Sequence, residues 1–241
     1  MKITVNGDKA VKIEFPGSVT ADLNQEIQRF CRELEAAAIN GVVEWVPAYK
    51  SVTIYYEPTK ILYSELVNTI NALPSHHSGE DQKITSRLLH VPVLYGGNVG
   101  PDLERVASYN HLSPNEVIKL HQEANYLVYM IGFLPGFPYL GGLNKKIATP
   151  RLEEPRASTF AGAVGIAHEQ TGIYPIESPG GWNIIGRTPI TLFNPNDEQN
   201  PFQFEAGDQI CFYSISEQEY QRIELLVKRG EYQLQIDGCI D

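Results

Sequence analysis

Between Tyr126 and Pro189, glycine or proline recurs every few residues, and the apolar runs between them are short. Long helices do not survive such punctuation: proline removes an amide donor, and glycine is entropically costly inside a helix. The runs at residues 128–131, 163–167, 182–185 and 209–213 read instead as strands. Many short strands separated by turns predict a closed or nearly closed β-barrel. An apolar strand at 88–93 opens this part of the chain. Helices are expected at 102–109 and 113–122, the second started by Ser113 as cap, Pro114 at the first helical position and Glu116 at the third. A helix at 216–228 and a strand at 232–236 close it.

The first third has a different rhythm. Val11, Ile13 and Phe15 alternate with polar residues as in a half-buried strand. Thr20 or Asp22 then caps a helix to about Ile39, with Leu23, Ile27, Phe30, Leu34 and Ala38 on one stripe. Asn40-Gly41 stops it. Strands follow at 42–46 and 51–56, and a helix at 62–73 faces inward with Leu66, Ile70 and Leu73. Strand, helix, strand, strand, helix predicts a split βαβ, ferredoxin-like unit. Residues 74–82, polar and with Gly and Pro, read as a linker. The expected class is α+β, with an N-terminal α/β domain over residues 1–80 and a barrel domain over 81–241.

Charge narrows the partners. Nineteen Lys and Arg face 29 Asp and Glu, a formal charge of -10. Such a chain repels nucleic-acid phosphates and anionic lipid, so neither is an expected partner. No apolar run reaches the length of a membrane span, and the N-terminus has no apolar signal-peptide core, so a cytoplasmic protein is expected. Cys31, Cys211 and Cys239 lie far apart with no CxxC pair, which predicts buried free thiols and neither disulfide nor zinc. His76-His77 lacks a third ligand, so no metal site is expected. P-loop, GxGxxG, HExxH and GxSxG patterns are absent from the sequence.

Three stretches carry candidate chemistry. Residues 132–143 hold two prolines and four glycines among large apolar residues, and predict a rigid loop rather than a helix or central strand. That loop fixes Phe133, Phe137 and Tyr139 either as a plug for a barrel corner or as the wall of a groove or interface. The Pro-Arg steps at 150–151 and 155–156 present cations from stiff backbone, suited to carboxylate or phosphate. Arg151 has Glu153 and Glu154 nearby as pairing partners, which leaves Arg156 the better candidate. Residues 161–189 bring His168, Gln170, Thr171, Tyr174, Asn183, Arg187 and Thr188 onto an apolar frame with Trp182, as a ligand pocket requires. His168 is either an acid or base or an incidental histidine. Arg187 either meets an anionic ligand or pairs with Glu177 or Asp208.

These stretches resemble the family of allophanate hydrolase subunit 1, kinase A inhibitor and the B-type subunit of 5-oxoprolinase, related to the carboxyltransferase region of urea carboxylase. The resemblance includes residues 47–51, 95–97 and 100–103, His121, and 206–208, and is densest from Tyr129 to Pro189. Phe160, Ala163 and His168 depart from the family pattern of Pro, Ser and Gly. The resemblance implies a cyclophilin-like barrel after the α/β domain. It also implies a share in ATP-dependent hydrolysis of 5-oxo-L-proline to L-glutamate, with the A- and C-type subunits of 5-oxoprolinase as partners; the missing P-loop and missing nucleophile predict no activity from this chain alone. Substrate contacts would come from Arg156, His168, Gln170, Thr171, Asn183 and Arg187, with catalytic groups and the ATP site unplaced. In one branch such a chain restrains a sensor histidine kinase, for which Phe133, Phe137, Tyr139, Tyr174 and Trp182 would line the groove.

Overall fold

The computed structural model describes residues 1–73 and 86–240, without the side chains of the last three. The expected linker and His76-His77 therefore lie outside the described residues. The chain divides into two compact units, residues 1–84 and 85–241.

In the first unit, β1 (Lys2–Val5) and β2 (Ala10–Glu14) form an antiparallel hairpin, followed by α1 (Ala21–Ala37), β3 (Val42–Pro47), β4 (Ser51–Tyr56) and α2 (Tyr63–Ala72). The sheet order is β1-β2-β4-β3, and β4 runs antiparallel to both neighbours. Thus β2 and β3 are parallel, joined by α1, with β4 inserted between them. β1 was not expected; it is a short, largely exposed edge strand with little hydrophobic signature. One face of the sheet, through Val11, Ile13, Val52 and Ile54, packs against Ile27, Phe30 and Leu34 of α1 and Leu66 and Ile70 of α2. Thr20 caps α1 by accepting from the Leu23 amide at 3.2 Å. The helix ends sooner than its apolar stripe suggests. Ala38 takes a left-handed conformation (φ 42°) as the C-cap and is exposed, and it does not join the stripe.

The second unit opens with β5 (Ser86–Tyr95), α3 (Leu103–Tyr109) and α4 (Pro114–Gln122). The capping box on α4 forms as expected, with Ser113 and Glu116 exchanging side-chain and backbone bonds at 2.8 and 3.3 Å. The strands then follow as β6 (Asn125–Ile131), β7 (Pro138–Gly141), β8 (Arg156–Thr159), β9 (Ala163–Ala167), β10 (Gln170–Ile173), β11 (Ser178–Gly180), β12 (Asn183–Arg187) and β13 (Gln209–Ser214). The helix α5 (Glu217–Arg229) and the strand β14 (Gln235–Ile240) complete the unit. The main sheet runs β12-β9-β10-β7-β6-β13-β5-β14, and β12 also pairs with β5. That pairing closes seven strands into a barrel, with β14 appended outside the ring. The β8–β11 pair forms a separate two-stranded ribbon. Alternate residues fill the barrel: Leu89, Val91 and Val93 of β5, Val164 and Ile166 of β9, Ile210 and Phe212 of β13.

One expectation fails here. Residues 132–143 contain a tight turn only to Phe137, closed by Gly132 N–H to the Phe137 carbonyl at 3.1 Å. Pro138–Gly141 is a strand, paired with β6 on one side and β10 on the other. Proline is tolerated because it stands first in the strand, where a missing amide costs least. The last strand is also displaced, covering Gln235–Ile240 instead of 232–236.

Candidate functional site

The wall made by β9, β10 and β12 carries different chemistry on its two sides. Inside, the Thr171 hydroxyl donates to the Gly165 carbonyl at 3.0 Å and therefore accepts from His121 Nε2 at 2.9 Å. His121 Nδ1 then accepts from the Tyr95 hydroxyl at 2.8 Å. The imidazole stacks on Phe212, with ring centroids 4.6 Å apart. Burial lowers the His121 pKa to about 3, so the ring is neutral. Asn183 is equally committed. Its Nδ2 donates to the carbonyls of Pro150 (2.8 Å) and Ile166 (3.0 Å), and its Oδ1 accepts from Arg105 Nε at 3.0 Å. Thr171 and Asn183, expected in a ligand pocket, are buried parts of the frame.

Arg156 also belongs to the frame. One of its terminal nitrogens lies 2.6 Å from Asp102 Oδ1, and Asp102 Oδ2 accepts the Ile184 amide at 2.6 Å. This ion pair ties the ribbon strand β8 to the start of α3 and to β12. Its other terminal nitrogen is buried without a partner.

Outside, the wall is built of small residues beneath a layer of rings. A Cβ on Gly172 would lie 3.0 Å from both Phe137 and Trp182, and one on Gly165 would lie 3.1 Å from Trp182 and Ile184. Phe137, Tyr174, Trp182, Ala163, Ala167 and Ile184 form a separate buried cluster, with Leu134, Tyr139 and Phe160 packed at its margin. Phe137 is its centre, meeting Tyr139, Tyr174 and Trp182 at 4.9, 5.3 and 5.5 Å between ring centroids. The expected groove of five aromatics is accordingly not open. Phe137, Tyr174 and Trp182 plug the layer, Tyr139 is half-buried, and Phe133 is 63% exposed.

Two arginines rest on this layer. The Arg151 guanidinium lies 6.0 Å from the Trp182 ring, and that of Arg187 lies 5.0 Å from the Phe160 ring and 5.9 Å from Tyr220. Neither forms an ion pair among the described residues. Glu177 accepts from Ser158, and Asp208 is engaged by Arg87, so the pairings expected for Arg187 do not occur. Arg187 spends only Nε, on the Ala161 carbonyl at 2.9 Å. Burial raises the pKa of Tyr139 and of Tyr174, against the opposing charge of Arg151. Both therefore stay protonated hydroxyls beside a cation. Gln170 lies on β10, two residues from Gly172 and thus on the same outer side. Glu153 and Glu154 adjoin Arg151 in sequence, yet neither pairs with it among the described residues.

His168 is a turn residue. It links β9 and β10 with φ 53°, is exposed, and exchanges backbone bonds with Thr149 at 2.7 and 3.2 Å. A left-handed conformation is one that glycine adopts freely and that a residue with a Cβ adopts only at a cost.

The family model for the carboxyltransferase domain, subdomains C and D, matches residues 1–204. The chain belongs to that family. Among curated proteins, the B-type subunit of 5-oxoprolinase from Bacillus subtilis (strain 168) is 42% identical over 224 residues, 89% of this chain and 92% of that protein. Its namesake from Escherichia coli O157:H7 is 37% identical over 206 residues, 86% and 92% of the two chains. The crystal structure of Kluyveromyces lactis urea carboxylase matches with a TM-score of 0.80 at 22% identity, over 98% of this chain and 24% of that one. This likeness is one of fold: a mixed α+β chain with a closed barrel, consistent with the cyclophilin-like barrel expected. No helix among the described residues is long and apolar enough to cross a membrane, and no metal-binding group of His, Cys, Asp or Glu occurs among them.

Proposed function

We propose that the chain is the B-type subunit of an ATP-dependent 5-oxoprolinase, acting with A- and C-type subunits to open 5-oxo-L-proline to L-glutamate. The observation that carries this is near-full-length identity of 37–42% to B-type subunits of 5-oxoprolinase. We also read residues 1–80 and 81–241 as separate domains, the first ferredoxin-like in its split βαβ order.

The chemistry asks for anion handling. A five-membered lactam is stable to water, and phosphorylation of its amide oxygen by ATP turns that oxygen into a leaving group and the carbon into an electrophile. Substrate carboxylate and transferred phosphoryl group are both anions. Arg151 and Arg187 lie on rigid rings without acidic partners, so they meet an anion with little loss of side-chain freedom. Gln170 and Tyr139 lie on the same outer wall and supply neutral polar groups. A histidine-kinase partner is not proposed, because Phe137, Tyr174 and Trp182 of its expected groove are buried.

The test is reconstitution. Purified chain, mixed with its A- and C-type partners, 5-oxoproline and ATP, should yield glutamate and ADP, and omission of any one protein should abolish turnover. Full ATP-dependent turnover by this chain alone, or by the two partners without it, would overturn the reading.

A further inference from the structure

The outer face of the barrel over β5, β13 and β14 carries a group that the proposed reaction does not use. Alternation along β5 and β13 sends Leu89, Val91, Ile210 and Phe212 inward, which turns His90 and Cys211 outward. The two strands are parallel, and their register sets Cys211 directly beside His90. On the other side of β5, β14 brings Asp237 within reach. Cys211 Sγ lies 2.9 Å from His90 Nδ1, and His90 Nε2 lies 2.6 Å from Asp237 Oδ2. The three side chains form one hydrogen-bonded line at half-buried to exposed positions.

We propose that Cys211, His90 and Asp237 form a thiol site that exchanges with small disulfides, making Cys211 a point of reversible covalent modification. The bonding order follows from the groups themselves. His90 holds the Asp237 carboxyl below its usual range, so the carboxylate accepts from Nε2–H. Nδ1 is left with its lone pair toward the sulfur. Burial, and then the charge of Asp237, push the Cys211 thiol above its ordinary value, so it stands protonated and donates to Nδ1. His90 therefore acts as a general base during attack rather than as the partner of a standing thiolate. As Sγ bonds to one sulfur of the disulfide, its proton passes to Nδ1 and the S–S bond of the reagent breaks. The departing thiolate takes that proton back. One protein thiol and one small disulfide become a mixed disulfide and one small thiol, with Cys211 oxidised and half of the reagent reduced. Cys31 is the built-in contrast: it is buried in the first unit, where burial alone pushes its thiol up to about 12.

The experiment uses the full chain with Cys239→Ser, so that Cys31 and Cys211 are the remaining thiols. Dithiobis(nitrobenzoate) and oxidised glutathione are the probes at pH 7.5, with peptide mapping to assign the modified residue. Cys211 should react at least about tenfold faster than the same cysteine in a synthetic peptide of residues 207–215. His90→Ala should lower the rate about tenfold, with recovery on adding free imidazole. Asp237→Asn should slow it several-fold, and Asp237→Glu should restore it. A native rate no higher than the peptide rate overturns the site without recourse to any variant. So does a folded His90→Ala protein that reacts like the parent, and an unchanged rate in Asp237→Asn overturns the three-residue arrangement.

Discussion

The two sides of the β9–β10–β12 wall draw on the same short stretch of sequence and use polar residues in opposite ways. On the inner side, Thr171, His121 and Asn183 each have their hydrogen-bonding groups matched within 3.0 Å. On the outer side, Arg151 and Arg187 stand on aromatic rings with no carboxylate among the described residues to neutralise them. A buried polar group must be satisfied internally, because leaving it unpaired costs about 1–3 kcal/mol. A cation at the surface can stay uncommitted at little cost, since water solvates it. Internal satisfaction marks scaffold, and uncommitted charge marks the place where a ligand can be met.

The sharpest way to break this division is at the Asp102–Arg156 pair, which its ion pair assigns to scaffold even though one guanidinium nitrogen is left without a partner. Asp102→Ala removes the partner of a guanidinium and the acceptor of the Ile184 amide together. Chemical denaturation of the variant should show a loss of about 2–3 kcal/mol: most comes from leaving the Ile184 amide without its acceptor, and less from the half-buried guanidinium, which water still reaches. A loss under about 1 kcal/mol would return Arg156 to the ligand-binding candidates. The next effect is in pH. His121 is neutral when folded, with its pKa lowered to about 3, and titrates near 6.5 when unfolded. Below the unfolded value the unfolded chain binds the extra proton, so this contribution is complete above about pH 6.5 and is lost as pH falls toward 3. Between pH 7.5 and 5 the parent should lose about 2 kcal/mol more than His121→Gln. Equal slopes would mean that the ring does not stay neutral in its network.

The outer side makes a prediction of the opposite kind. Arg187→Ala should lower turnover of the assembled enzyme about tenfold, equivalent to about 1.4 kcal/mol of transition-state stabilisation, with melting temperature nearly unchanged. Arg151→Ala should behave in the same way. If activity and stability fall together in either variant, that arginine is scaffold, and the contrast between the two sides fails at that residue.

Element type and order were largely legible because each depends on local pattern. The α4 capping box, the α1 stripe from Leu23 to Leu34 and the strand at 163–167 all fall where periodicity and caps place them. The strand Pro138–Gly141 escaped because proline and glycine at its two ends hide four residues of pairing. The site was read less well for a physical reason. Sequence shows which polar residues exist, but which are already satisfied depends on partners far along the chain. Arg156 meets Asp102, Thr171 meets His121, and Asn183 meets Arg105. Arg151 and the Cys211–His90–Asp237 line were invisible on the same grounds. The first was masked by acidic neighbours in sequence that do not reach it, and the second joins three strands distant in the chain.

The smallest effect is at His168, which separates backbone demand from side-chain chemistry. Its φ of 53° costs a residue with a Cβ about 1 kcal/mol, and glycine is relieved of that strain. Against this, glycine adds freedom to the unfolded chain, which returns about 0.4–1 kcal/mol. The imidazole is exposed and makes no hydrogen bond or ion pair among the described residues, and the two backbone bonds to Thr149 do not depend on it. His168→Gly should therefore be neutral or stabilising by up to about 0.5 kcal/mol, a rise of about 1–2 °C in melting temperature, with turnover of the assembled enzyme unchanged. His168→Val, β-branched in the left-handed region, should lose about 1 kcal/mol or more. A glycine variant that keeps its stability but loses tenfold in turnover would place the imidazole in the chemistry. In that event the turn would be holding a strained backbone for the sake of the ring it carries.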